Sequence, residues 1–169
     1  MGESQEQTMP VVEPQEQHRW LQRLVGEWTF EGEASMGPGQ PPEKFTGSES
    51  VRSLGGLWVV SEGKCPGPDG SPGTTLLTLG YDPQKQRFVG IFVASMMTHM
   101  WVYDGALDEA KRVLTLDTVG PDFADPKKLV NYQDIYELAS DDHRVLTSRA
   151  MGEDGAWHTF MTAHYRRKK

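Results

Sequence analysis

Cysteine is almost missing from this chain: Cys65 is the only one in 169 residues. An internal disulfide is therefore excluded, and so is a zinc site built on paired cysteines. Basic residues are outnumbered, with 17 Lys and Arg against 24 Asp and Glu, for a formal net charge of −7. That balance repels phosphate backbones and argues against a nucleic-acid partner. The one basic cluster, Arg166-Arg167-Lys168-Lys169, stands at the last positions and reads as a solubilising tail. Stable anchoring to an anionic membrane would need an apolar signal beside it. Long apolar runs are missing too, and none approaches the roughly 20 residues of a membrane span. Residues 1–17 contain neither Lys nor Arg and no apolar core of a secretory leader. A cytoplasmic protein with no membrane partner is the expectation.

Helical periodicity is scarce as well. Only "PQEQHRWLQRLVG" carries it, with Trp20, Leu21, Leu24 and Val25 at helical spacing, Pro14 at the start and Gly26 as a stop. The polar, Gln- and Glu-rich residues 1–14 read as a disordered acidic tail, leaving 15–169 as one domain.

Alternation is what the rest of the chain has in abundance. In "EWTFEGEASM", Trp28, Phe30, Gly32 and Ala34 alternate with Glu27, Thr29, Glu31 and Glu33, the pattern of a strand with one buried face. Similar runs recur near 45–54, 57–64, 74–81, 87–95, 98–107, 112–119, 130–139, 143–151 and 157–166, separated by turn-rich segments such as "PGPDGSPG" and "GEDG". About ten antiparallel strands make a sheet that would curl and close. The fold expected is all-β: a closed antiparallel β-barrel with a short N-terminal helix.

Gly26-Glu27-Trp28, placed where the helix leads into the first strand, resembles the entry motif of lipocalin and calycin barrels, whose tryptophan plugs the closed end. Further motifs, "HRWLQRLVGEW", "VRSLGGLWVV", "TLGYDP", "MMTHMWVYDG", "DDHRVLTS" and "DGAWHTFMTAHYRR", occur in one order from residue 18 to 168. Together they resemble the bacterial family called domain of unknown function 1579. The resemblance implies a lipocalin-like barrel and carries over no activity and no catalytic residue.

Strand arithmetic nominates interior residues. A two-residue turn at Asp141-Asp142 would pair Ser140 with His143, Leu138 with Val145, Tyr136 with Thr147 and Asp134 with Arg149. The aromatic face of Tyr132, Asp134 and Tyr136 suits the interior, which would bring Asp134 and Arg149 inside as a cross-strand pair. A free Arg fork there would suit a carboxylate ligand; a turn one residue longer would instead put both on the surface. In "ASMMTHMWVYDG", His99, Trp101 and Tyr103 share one face, and a turn at Met96-Met97 would set Tyr103 opposite Gly90. Glu62 is a weaker candidate. Phe160 faces inward or outward according to the length of the "GEDG" turn, with Thr159 and Met161 as the alternative.

A metal site is not expected. Met96, His99 and Met100 on one strand do not converge on one point, and His158 and His164 would lie roughly 20 Å apart along theirs. Heme enters only by analogy with nitrobindin-type barrels, which hold it through a histidine near the C-terminus. Barrels of this strand number can enclose one small molecule. The function expected is thus an interior site for an apolar or amphipathic ligand, a carboxylate-bearing one included. Its walls would be Trp101, Tyr103, Tyr132, Tyr136 and Phe160, its anchors His99, Asp134 and Arg149, with Glu62 in reserve. The alternatives are a lyase, isomerase or hydrolase using interior His, Asp, Arg and Tyr, and a closed-core interaction module. A small molecule, and at most a second copy of the chain in a homodimer, are the partners expected.

Overall fold

In the computed structural model, which describes residues 8–35, 37, 39–67 and 69–169, one helix precedes ten strands. The helix α1 spans Glu16–Gln22, and the strands are β1 (Gly26–Ala34), β2 (Glu43–Leu54), β3 (Trp58–Pro66), β4 (Pro72–Asp82), β5 (Arg87–Ala94), β6 (Trp101–Leu107), β7 (Val113–Pro121), β8 (Leu129–Ser140), β9 (His143–Met151) and β10 (Trp157–Arg167). Each strand pairs antiparallel with its neighbour in sequence, and β1 with β10 closes the sheet. The expected barrel of ten strands with a short helix is the fold, and closure leaves no unpaired sheet edge. Residues 8–14, the described part of the expected tail, carry no helix or strand; residues 1–7 lie outside the described residues. No helix among the described residues is long and apolar enough to cross a membrane.

The helix begins at Glu16 rather than at Pro14 because Gln15 is its cap. The Gln15 backbone N–H donates to His18 Nδ1 at 2.9 Å, which leaves His18 Nε2–H to donate to the Tyr81 carbonyl at 3.0 Å. Buried His18, Trp20 and Leu21 turn one face of α1 onto the barrel, and Leu24 just past its end is buried with them. Trp20 meets Phe88 edge to face, and its indole N–H donates to the Lys111 carbonyl at 2.8 Å. The helix therefore plugs the end of the barrel where the β4–β5, β6–β7 and β8–β9 turns gather. Beneath it Trp28 is fully buried, and its indole N–H donates to the Leu24 carbonyl at 2.9 Å.

Two one-residue irregularities decide which side chains face inward. Ser140 pairs with His143 as the turn arithmetic predicts, but Leu138 then pairs with Arg144, so Ala139 is an extra residue in β8. From there the register is offset by one: Asp134 lies opposite Ser148, and Arg149 opposite Gln133. The expected Asp134–Arg149 pair is therefore absent. A second offset falls between Thr159 and Met161. Phe160 is the extra residue there, and both Phe160 and Met161 reach the interior while Thr159 stays exposed.

β6 is shorter than expected. Its ladder with β5 runs only from Phe88–Gly105 to Phe92–Trp101, and a turn that returns the Met97 N–H to the Ala94 carbonyl at 3.1 Å leaves Thr98–Met100 outside any strand. Within that ladder Tyr103 does lie opposite Gly90. A Cβ on Gly90 would collide with the Thr78 carbonyl oxygen, so glycine here lets β4 and β5 close beneath the tyrosine.

Candidate functional site

Above the Trp28 layer the barrel holds a cavity of about 280 Å³. Its walls are aromatic because the inward positions of β1, β5, β6 and β8 place Phe30, Phe92, Trp101, Tyr103, Tyr132 and Tyr136 on one continuous interior surface. The rings meet edge to face: Trp101 and Tyr132 at 5.1 Å, Tyr132 and Phe160 at 6.0 Å, Phe123 and Phe160 at 5.4 Å. Met97 and Phe123, 39% and 42% exposed, mark the mouth at the end opposite α1.

Two polar clusters interrupt this apolar lining. In the first, Asp134 of β8 accepts from the Ser148 hydroxyl at 2.5 Å and from the Tyr103 phenol. Asp134 is enclosed by the barrel wall but keeps an exposed remainder toward the cavity. Burial raises its carboxyl above the ordinary carboxylate range, a shift opposed by the two hydroxyl donors. Burial, reinforced by the Asp134 charge, also pushes the phenols of Tyr103 and Tyr136 well above the usual tyrosine value.

The second cluster lies on the cavity floor. Glu49 of β2 accepts from the Ser61 hydroxyl at 2.5 Å and pairs with the Arg144 guanidinium, which is only 1% exposed. Arg144 stands 4.3 Å from the Tyr165 ring and 4.7 Å from the Trp28 ring. Arg167 covers the other side of the layer at 4.3 Å from Trp28 and is held by the Val25 and Arg23 carbonyls at 2.5 and 2.9 Å. Burial lowers the Arg144 pKa to about 10, which leaves it charged at neutral pH. The floor is thus an internally neutralised ion pair, stacked on tryptophan.

Of the nominated residues, Trp101, Tyr103, Tyr132, Asp134, Tyr136 and Phe160 come together around the cavity. His99, Glu62 and Arg149 do not line it. His99 sits past the end of the β5–β6 ladder at the rim, where Nε2 lies 3.1 Å from the Val119 carbonyl and the ring packs edge-on against Trp101 at 4.7 Å. Glu62 occupies the exposed face of β3, its neighbour Ser61 taking the interior position. Arg149 points outward: its Nε donates to Gln133 Oε1 at 2.8 Å, and the guanidinium lies 5.0 Å from the Trp157 ring. The Ala139 bulge put it there, and with it goes the expected interior anchor for a ligand carboxylate.

Glu49, Ser61, Thr118, Arg144 and Ser148 were not nominated by sequence. Strict alternation places Glu49 with Phe45, Gly47 and Val51, but that face mixes charged, small and apolar residues and carries no clear inward signal. Thr118, 7% exposed, lines the cavity with a hydroxyl that has no hydrogen-bond partner among the described residues.

No group of three or more His, Cys, Asp or Glu side chains among the described residues could hold a metal ion. No histidine lines the cavity. His158 is exposed and paired with Asp154 at 2.9 Å, while His164 lies 3.0 Å from His143, stacked ring on ring.

A closed ten-stranded barrel, plugged by a helix at one end and hollow toward the other, defines the class of this protein. The chain belongs to the family described as "Protein of unknown function (DUF1579)", which matches residues 13–167. No curated protein matches it in sequence. Among solved structures it is similar to the Rv2717c protein of M. tuberculosis, with a TM-score of 0.58, 11% identity, and 93% of this chain and 100% of that chain covered. It is also similar to the S-type phycobiliprotein lyase CPES of Guillardia theta, with a TM-score of 0.55, 15% identity, and 92% and 99% of the two chains covered. At such identities the likeness concerns the fold.

Proposed function

We propose that the barrel binds one small, mainly apolar molecule in its interior, with Trp101, Tyr132, Tyr136 and Phe160 as walls and the Tyr103–Asp134–Ser148 cluster as polar anchor. The observation that carries this is the cavity itself: about 280 Å³ of aromatic-walled space, with a mouth at one end and a carboxylate held toward it by two hydroxyls. That volume lies just below the roughly 300 Å³ at which pockets for drug-sized ligands begin, so the ligand is small. A closed-core interaction module would have filled these inward positions, and the cavity favours the binder over it.

Native mass spectrometry of the purified chain, with a denatured control, tests the proposal. A stoichiometric small-molecule adduct that disappears on denaturation is the expected result. The complementary measurement is thermal stabilisation by a small aromatic library: occupancy at 100 times Kd adds about 2.7 kcal/mol. Finding neither adduct nor stabilisation would count against an interior site.

A further inference from the structure

The charge of the cavity lining specifies the ligand more closely. Its charged side chains are Glu49 and Asp134, both acids; no Lys, Arg or His lines it. The two acids are not equivalent. Glu49 is answered by Arg144 directly below the floor. Asp134 has no ion-pair partner among the described residues, and its neighbours across β7 and β9 are Leu116 and Ser148. The Tyr103 and Ser148 hydroxyls both donate to it, an arrangement that orients a carboxylate as an acceptor and leaves remaining lone pairs open toward the cavity. A carboxylate enclosed by aromatic rings and left without a counter-ion is costly, and either a proton or a cation relieves it; at neutral pH a bound cation is the relief that keeps both hydroxyl donors in place.

We infer that the interior site takes a small aromatic or aliphatic amine, bound as its ammonium cation with the nitrogen against Asp134 and the carbon frame among the aromatic walls. This inference rests on the interior-binding proposal and adds the sign of the ligand's charge. A protonated amine donates charge-assisted hydrogen bonds to the carboxylate, which are roughly twice as strong as neutral ones. The same cation is attracted by the faces of the neighbouring rings: Tyr132 and Tyr136 stand two residues either side of Asp134 on β8, and Tyr103 reaches it from β6 through its hydroxyl. Thr118, buried and unpartnered on the adjoining strand β7 opposite Tyr132, offers one more acceptor for an ammonium hydrogen. Cationic ligands also suit the acidic protein as a whole, since a net charge of −7 attracts them in solution.

Three probes that share one phenylethyl frame separate the outcomes: phenethylamine, phenethyl alcohol and hydrocinnamate, each titrated calorimetrically into the full-length wild-type protein near neutral pH. The expected order is amine tightest, at least about tenfold ahead of the alcohol, with the carboxylate weakest. Asp134→Asn should shrink the amine-to-alcohol ratio to about threefold or less. Ser148→Ala, which removes one of the two hydroxyls that orient the carboxylate, should reduce it part of the way. The wild-type order alone decides the matter if a variant fails to fold. Alcohol or carboxylate binding as tightly as the amine would overturn the charge assignment and leave an interior binder standing. Binding of none of the three, together with no adduct in native mass spectrometry, would overturn both.

Discussion

Asp134 stands directly opposite Ser148 across β8 and β9, and its carboxylate accepts the serine hydroxyl at 2.5 Å. Arg149, one residue further along β9, faces the other way and donates to Gln133. A single step of register therefore separates an acid-lined cavity from one containing an arginine.

The outward placement of Arg149 makes its removal mild. Arg149→Ala should cost about 1 kcal/mol or less, since it gives up one hydrogen bond and one cation–π contact on the partly exposed outer face. Urea unfolding measures this, and any ligand found by native mass spectrometry should bind the variant as it binds the wild type.

Arg144 should behave in the opposite way. Arg144→Ala leaves Glu49 as an uncompensated charge under the cavity and opens a void between Trp28 and Tyr165, for an expected loss of about 3–5 kcal/mol. The double replacement Glu49→Leu with Arg144→Met removes both charges and should recover most of that loss in the same unfolding assay. Equal destabilisation in the single and double variants would show that packing on Trp28, rather than charge, is what Arg144 provides.

Asp134 gives stability a distinctive pH dependence. In the unfolded chain an aspartate titrates near about 3.9, and in the fold burial lifts it. Between those two values the folded protein holds the extra proton, so this residue's contribution falls as pH rises through the window and is level above it. Asp134→Asn removes the effect. The stability of the variant minus that of the wild type should therefore increase with pH across the window, as urea titrations at a series of pH values would show.

Cys65 lines the cavity, half-buried, and burial raises its thiol above the ordinary value. A smaller thiolate fraction and a narrow approach should make it react with a disulfide reagent several-fold more slowly than a free thiol. An interior ligand should slow it further, which offers a binding readout requiring no variant.

Much of the fold was legible because alternation is a strong signal wherever one face is wet. β9 spans His143–Met151 as the pattern predicts, and the inward face of β8 follows from the spacing of Tyr132 with Tyr136, whereas the face of β6 was left open by the sequence. The bulges were not legible. Ala139 and Phe160 carry no glycine, proline or other local mark of an unpaired residue, yet each shifts the ladder beyond it. Glu62 and Ser61 show a different limit: both are polar, and only three-dimensional closure tells which of two polar neighbours the interior takes. His99 looked like a strand residue because period two runs on through Thr98–Met100, but its ladder had already ended at Trp101.

Ala139 acts, in effect, as a phase lock on the hairpin. A chain lacking that one residue, closed by the same Asp141-Asp142 turn, would set Arg149 against Asp134 and carry Arg144 and Ser148 out to the solvent side, so that the ion pair inside the barrel would pass from Glu49 to Asp134. Loss of one codon would thus move the unpaired acid from the wall at Asp134 to the floor at Glu49, with the β9–β10 pairing and the stack on Trp28 as the structural obstacles along the way.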